Sequence, residues 1–250
     1  MLAYFTMDLV IVFIAALVTA LATGLGALPL LALKDASQRM LGAANAAAGG
    51  LMLAATQLLI VEGVDESAPR TLAGAVIGVV VIWIIAHVMH AGHEHDVTEL
   101  AGGASMRTAV LIVAVMTAHS AAEGIGVGVS FGGGEQLGLL VTLAIAVHNI
   151  PEGLAISLAL VPAGTTIRAA AGWSIFSSLP QPLLAIPAYL FVEEFRTALP
   201  IGLGLAAGAM IWMVLFELLP EALDRAGKRD VALGLIAGYA VMLAFTLALT

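Results

Sequence analysis

Residues 107–131 have the sequence RTAVLIVAVMTAHSAAEGIGVGVSF, and residues 136–161 have the sequence QLGLLVTLAIAVHNIPEGLAISLALV. Each is an apolar run of membrane-spanning length that contains one histidine and one glutamate. An ionisable side chain near the bilayer midplane costs about 2.5–3.5 kcal/mol on the insertion scale, so such residues are functional candidates. The two runs therefore predict neighbouring transmembrane helices with a polar site between them.

The composition extends this prediction to the whole chain. Hydrophobic residues make up 61% of the 250 residues and charged residues only 10%, whereas a soluble domain carries about 25% charged residues. We predict an all-α integral membrane protein, a single transmembrane domain over residues 1–250 embedded in the lipid bilayer. Its eight predicted transmembrane helices are 7–33, 40–62, 71–91, 107–131, 136–161, 166–191, 197–220 and 230–249.

The charges predict the orientation of the chain and exclude one class of partner. The net charge is −8, and a nucleic-acid partner would require a basic face. With eight spans, seven of the nine basic residues fall on one side of the membrane, which identifies that side as cytoplasmic and predicts that both termini face out. The seven are Lys34, Arg39, Arg107, Arg168, Arg225, Lys228 and Arg229. We expect the cell membrane, inner or plasma, as the location.

The spacing of the polar residues is the same in both runs. His119 and Glu123 are four residues apart, as are His148 and Glu152, and residues at this spacing lie on one face of a helix. Each glutamate is followed by glycine, and each histidine by a polar residue, Ser120 or Asn149. Consecutive membrane helices are antiparallel, so the two copies can meet about a pseudo-two-fold axis, as in transporters with inverted repeats.

Two carboxylates and two imidazoles that converge in a low dielectric would repel one another or become protonated unless a cation held them. Nitrogen and carboxylate oxygen ligands suit zinc, iron(II) or manganese(II), and the chain has no cysteine that could supply a thiolate. Taken singly, His119 could be an ordinary buried histidine and Glu123 a proton-transfer group. The occurrence of the same His–Glu spacing in both runs favours a metal site.

Three further polar residues are candidates with open alternatives. Glu217 is either a ligand on the exit path or a charge at the membrane interface. Gln181, between Pro180 and Pro182, either lines a cavity or binds the ion. Thr56 is a weaker candidate, because a threonine hydroxyl in a membrane helix usually bonds to its own backbone.

A histidine-rich segment follows the third predicted span. It includes His93 and His95, with His87 and His90 just before them. Short histidine-rich tracts are typical of metal binding, and the alternative is a solvated polar loop. On the cytoplasmic side, the segment could accept ions that leave the membrane.

At these residues the chain resembles the ZIP (Zrt/Irt-like) metal transporters, especially the bacterial branch with a broad divalent range. The resemblance rests on residues 52–55, the histidine segment, residues 148–155 and residues 217–222. It implies eight helices in a 3+2+3 arrangement and uptake toward the cytoplasm by an elevator-like movement. It also implies that the chain is a homodimer, as many members are.

The resemblance also implies a metal site between the fourth and fifth helices that can hold two ions. The first ion would be held by His119, Glu123 and Glu152, with Thr56 near it. The second would be held by Ser120, Asn149 and Gln181, with Glu123 and Glu152 bridging. Ser120 and Gln181 depart from the family pattern, which has asparagine and a carboxylate there, so we expect one firm site and one weak or empty site.

The leading hypothesis is a secondary transporter, not an enzyme, that binds no cofactor and carries a divalent cation, zinc first and also iron, manganese or cadmium. An intramembrane metal-dependent hydrolase would use a metal-bound water and a glutamate base. The chain lacks the HExxH frame typical of such enzymes. A sensing or structural membrane protein without flux is a third possibility.

Overall fold

The structure is a computed structural model that describes residues 2–31, 37–90 and 106–249. Within these residues the regular structure is entirely helical, which confirms the predicted all-α class. The described helices are α1 (Leu2–Leu25), α2 (Gln38–His90), α3 (Met106–Gly133), α4 (Glu135–Leu160), α5 (Ile167–Ser177), α6 (Pro180–Glu194), α7 (Leu199–Met213), α8 (Leu219–Arg225) and α9 (Lys228–Leu249).

Six stretches of the described residues are long and apolar enough to cross a membrane. They are Met7–Leu31, Gln38–Val88, Glu135–Leu160, Ile167–Glu194, Arg196–Arg225 and Lys228–Ala248. Together with the confirmed helical class, they support a multi-pass membrane protein. The count of eight spans and the 3+2+3 arrangement stay predictions, and two features of the helices are consistent with the count.

The first feature is a break inside α2. Its 53 residues would extend about 80 Å as one straight helix, far more than the roughly 30 Å hydrocarbon core. Ser67 has φ −169° and ψ 100°, two residues before Pro69, whose ring cannot donate a helical hydrogen bond. The hydroxyl of Thr71 donates to the carbonyl oxygen of Ser67 at 3.0 Å. The break divides α2 into two arms that agree with predicted spans 40–62 and 71–91.

The second feature is α3, which covers predicted span 107–131 and carries His119 and Glu123. Its side chains are described from Val113 onward. With α3 and the two arms of α2 counted separately, each predicted span contains described helix.

Three of the predicted spans are interrupted, where we expected single helices. In predicted span 7–33, a turn at residues 26–27 separates α1 from a 3-10 helix at Leu28–Leu31. Predicted span 166–191 consists of α5 and α6, which a turn at Ser178 and Leu179 separates. Pro180 begins α6, in the first turn of a helix where proline costs no hydrogen bond. Predicted span 197–220 contains a wide π-helical turn, Val214–Leu218, between α7 and α8.

Small residues allow the helices to pack closely, as the many glycines suggested. A Cβ atom on Gly208 of α7 would lie 2.1 Å from the carbonyl oxygen of Ala75 in α2. Large apolar side chains such as Phe13, Trp83 and Ile236 are exposed on the outside. The buried polar residues instead concentrate where α1, α3, α4 and α6 meet, and this is where the site lies.

Candidate metal centre

The two His–Glu pairs predicted from the sequence face each other across α3 and α4. His119, Glu123, His148 and Glu152 each offer one ligand atom, and these atoms all lie within 4.8 Å of one another. The four residues are 2%, 0%, 1% and 6% exposed, so the cluster lies inside the bundle and away from lipid. One ion could contact all four side chains.

Glu123 is at the centre of the cluster. Its Oε1 lies 2.6 Å from Nε2 of His148 and 3.1 Å from Nε2 of His119. Its Oε2 accepts a hydrogen bond from Nε2 of Gln181 at 2.5 Å. Both oxygens of this carboxylate therefore have partners within the protein.

Glu152 has the opposite environment. Neither of its carboxylate oxygens has a hydrogen-bond partner among the described residues, and the same holds for Nδ1 of both His119 and His148. Buried polar atoms are normally paired, and a buried charge without a partner costs several kcal/mol. A dication bound beside Glu152 would supply the missing compensation, and nitrogen and oxygen ligands of this kind suit divalent transition metals.

The glycine that follows each glutamate has a packing function. A Cβ atom on Gly124 would lie 2.6 Å from Cα of Gln181, so α6 can lie this close to α3 only because residue 124 is glycine. A Cβ atom on Gly153 would lie 1.6 Å from the carbonyl oxygen of Thr23 in α1. The glycines of the repeated Glu-Gly pair thus allow α6 and α1 to pack close to the two glutamates.

Of the residues expected at the second ion position, Gln181 contacts Glu123, and Asn149 contacts Gln181. Nδ2 of Asn149 donates to the main-chain carbonyl oxygen of Thr19 at 2.9 Å and lies 3.2 Å from Oε1 of Gln181. It is the nitrogen of Gln181, not its oxygen, that faces Glu123. The hydroxyl of Ser120 is buried without a partner among the described residues.

The remaining predicted residues lie at differing distances from this centre. Thr56 is buried, and its hydroxyl donates to the carbonyl oxygen of Met52 in its own helix at 2.8 Å. Glu217 lies in the wide turn after α7 and lines a small cavity of about 10 Å³ together with His119. His93 and His95 lie outside the described residues, and His87 is exposed and stacked on Trp83.

The sequence reasoning did not identify α1 as part of the site. Thr19 and Thr23 are both fully buried, and the hydroxyl of Thr19 lies 2.5 Å from Oε1 of Gln181. The hydroxyl of Thr23 lies 2.8 Å from that of Ser178. Two threonines four residues apart in an otherwise apolar helix form a polar face, and that signal could have found them.

Comparison with known protein families gives a match over most of the chain. A family model described as ZIP zinc transporter matches residues 86–246. These residues include the His–Glu pairs, Gln181 and Glu217.

Curated relatives support the same family. A zinc transporter of Myxococcus xanthus, GufA, is 33% identical over 250 residues, which cover 94% of this chain and 98% of that protein. The zinc transporter ZIPB of Bordetella bronchiseptica is 37% identical over 89% of this chain and 76% of its own length. A putative zinc transporter of Arabidopsis thaliana is 42% identical over 86% of this chain. The matched region covers only 35% of that plant protein.

Proposed function

Because the chain belongs to the ZIP family of zinc transporters, we propose that it is a secondary transporter that carries divalent metal cations, zinc first, into the cytoplasm. The ion binds between α3 and α4 at His119, Glu123, His148 and Glu152. The observation that carries this proposal is the convergence of these four buried ligand atoms within 4.8 Å.

The geometry of the centre suits a transported ion better than a permanent one. Both oxygens of Glu123 have partners within the protein, and these contacts can replace those to an ion that leaves. When an ion binds or leaves, Glu123 exchanges its contacts within the protein for contacts with the ion, or the reverse. A carrier must bind an ion firmly enough to take it up and weakly enough to let it leave.

The path on either side of the centre follows from charge and position. Asp65, Glu66, Glu193 and Glu194 are exposed carboxylates that attract cations at the predicted outer surface. Glu217 shares a small cavity with His119, so it is placed to receive an ion that leaves the centre. The histidine segment around His93 and His95 would be the next acceptor on the cytoplasmic side.

Several finer points belong to the proposal. Iron, manganese and cadmium are further candidate substrates, since the ligand set is not selective by softness. The cell membrane, the outward termini, the homodimer and the elevator-like movement follow from the charge bias or the family. The ZIP family consists of transporters, and neither the family nor the relatives support the hydrolase alternative.

Uptake into proteoliposomes tests the proposal. Vesicles with the wild-type chain should accumulate Zn²⁺ added outside, and the variant Glu123→Ala/Glu152→Ala should lose at least about nine-tenths of that rate because the ion loses both charged ligands. A matched control, Glu135→Ala/Asp224→Ala, removes two exposed carboxylates and should retain the rate. Equal uptake by the wild-type chain and by Glu123→Ala/Glu152→Ala would refute the site, and no uptake by the wild-type chain would refute the function.

A further inference from the structure

A chain of hydrogen bonds connects the main chain of α1 to Glu123. Nδ2 of Asn149 donates to the carbonyl oxygen of Thr19 at 2.9 Å and lies 3.2 Å from Oε1 of Gln181. The hydroxyl of Thr19 lies 2.5 Å from the same Oε1. Nε2 of Gln181 then donates to Oε2 of Glu123 at 2.5 Å. All four residues are fully buried.

The backbone of α1 determines the direction of this chain. A main-chain carbonyl oxygen can only accept, so the group of Asn149 that faces Thr19 is its NH₂. The second hydrogen of that NH₂ is directed to Gln181 and needs an acceptor, which is Oε1. The opposite end of the Gln181 amide, its NH₂, must therefore face Glu123. The orientation of the Gln181 amide is thus assigned from its hydrogen-bond network, which is how the orientation of a side-chain amide is established.

Reversal of the Gln181 amide is opposed at two places. Its NH₂ would meet the NH₂ of Asn149, and its oxygen would lie 2.5 Å from Oε2 of Glu123, with no hydrogen between them. The hydroxyl of Thr19 alone tolerates reversal, because it also lies 2.7 Å from the carbonyl oxygen of Ala16. Thr19 thus fixes the orientation through its main-chain carbonyl oxygen, while its hydroxyl contributes a hydrogen bond that holds Gln181 in place.

The position of this amide decides where an ion can bind. The N–H of Gln181 occupies Oε2 of Glu123 on the side that faces α6, so a cation on that side would have to displace this donor. The other oxygen, Oε1, faces His119 and His148. The second ion position that the ZIP resemblance implies would need Gln181 as an oxygen ligand, whereas here its nitrogen faces Glu123 and its Oε1 faces Thr19 and Asn149.

We infer that Thr19 is a positioning residue which, through Asn149 and Gln181, holds an N–H group on Glu123 in place of a second ion. The centre consequently takes one dication at a time. The transport readout for this inference rests on the proposed function, whereas the ion count can be measured on the purified chain.

Ion stoichiometry tests the first half of the inference. The full chain in detergent, freed of metal, is dialysed to equilibrium against Zn²⁺, and bound zinc is measured by mass spectrometry. Histidines outside the centre add to the total, so each count is taken as the difference from the same chain carrying Glu123→Ala/Glu152→Ala. We expect a difference of one ion for the wild-type chain. The variant Gln181→Glu, which replaces the N–H donor with a carboxylate, should give two.

Transport kinetics test the role of Thr19. The nearly isosteric variant Thr19→Val should raise KM for Zn²⁺ about threefold to tenfold, the range expected for one lost hydrogen bond, with kcat changed less than twofold. Thr19→Ser keeps the hydroxyl and should restore KM. The matched control is Thr142→Val, at a buried threonine of α4 whose hydroxyl bonds to its own helix at Gly138, and it should leave KM unchanged.

The outcomes separate this inference from the proposed function. Two ions in the wild-type centre, or one in Gln181→Glu, would overturn the closed second position. A wild-type KM in Thr19→Val, or an equal change in Thr142→Val, would overturn the positioning role. If wild-type vesicles transport no dication, the proposed function fails, and the zinc count on the solubilised chain still decides how many ions the centre binds.

Discussion

Glu123 and Glu152 are both buried carboxylates at the same position of a repeated frame, yet their surroundings differ. Glu123 contacts two imidazoles and the amide of Gln181. Glu152 has no hydrogen-bond partner among the described residues. A carboxylate with partners contributes stability when no ion is bound, whereas one without partners costs stability until an ion arrives. The two residues should therefore respond differently to the same neutral substitution.

In the metal-free chain, Glu123→Gln should lower the free energy of unfolding by about 2 kcal/mol, since hydrogen bonds to a charged group are lost. That corresponds to a decrease of roughly 4–8 °C in Tm. Glu152→Gln should leave the metal-free Tm unchanged or raise it, because it replaces a buried carboxyl group that has no hydrogen-bond partner among the described residues. Thermal unfolding in detergent measures the metal-free Tm of the two variants and of the wild-type chain.

The same measurement with Zn²⁺ added provides the control for this prediction. Zinc should raise the Tm of the wild-type chain, because a ligand that binds the folded state stabilises it. Glu152→Gln should abolish most of that increase. Equal metal-free Tm values for the two variants would contradict the different environments of the two glutamates.

Among the elements, the contacts made by glycine decide how closely α1 and α6 approach the centre. Gly153 lies against the main chain of α1 at Thr23, and Gly124 lies against the start of α6 at Gln181. The turn at Ser178 and Leu179 lets α6 begin at Pro180, which brings Gln181 into the bundle beside Glu123. The elements that surround the ion are thus brought together by small residues and a helix break.

Gly153→Ala should destabilise the chain by about 1–3 kcal/mol, the usual cost of overpacking, because its Cβ would lie 1.6 Å from the carbonyl oxygen of Thr23. It should also reduce zinc uptake, since α1 must move away from Glu152. Gly172→Ala in α5 is the matched control, because nothing lies within 4 Å of its Cβ position. Alanine there should be neutral or slightly stabilising. Similar Tm and uptake for both variants would show that the close approach of α1 is unimportant.

At the scale of the whole molecule, the spans and the basic residues predict which end of the bundle faces the cytoplasm. Exposed apolar side chains on α1, α2 and α9 provide the surface that contacts lipid. Lys228, Arg229 and Arg225 lie between the last two predicted spans, on the predicted cytoplasmic side. Asp65 and Glu66, at the break of α2, lie on the predicted outer side.

Cysteine labelling of intact cells checks this orientation, because the chain contains no cysteine of its own. A membrane-impermeant maleimide should label the variant Glu66→Cys and leave Asp224→Cys unlabelled until the cells are opened. Both positions are exposed in the structure, so access to the reagent depends on the side of the membrane. Labelling of Asp224→Cys alone would show the opposite orientation, with both termini in the cytoplasm.

Much of the centre could be predicted from spacing alone. His119 and Glu123, like His148 and Glu152, lie one helical turn apart, and the high cost of such groups in hydrocarbon made them candidates. Thr19 could not be assigned in this way. Its contact with Gln181 joins residues 162 positions apart, and a threonine in a membrane helix most often bonds to its own backbone.

The helix breaks also separate what the sequence predicts from what the packing decides. Pro180 and Pro182 flank Gln181 in the sequence, and we predicted one helix over residues 166–191, whereas the structure has two helices separated by a turn. The wide turn at Val214–Leu218 precedes Pro220 and was not anticipated. Proline position indicates that a helix is perturbed, while the packing around it decides whether the helix kinks, widens or ends.

The sequence by itself determined the helical membrane class, the family and the two His–Glu pairs. The class and the pairs follow from local quantities, namely apolar length, helical period and the cost of polar groups in lipid. The family follows from the resemblance at residues 148–155 and 217–222. Only the tertiary structure decided that Glu123 has partners for both oxygens while Glu152 has none among the described residues, and that an N–H of Gln181 faces the centre. Those features depend on how closely α1, α3, α4 and α6 approach, which is a property of long-range packing and not of spacing along one helix.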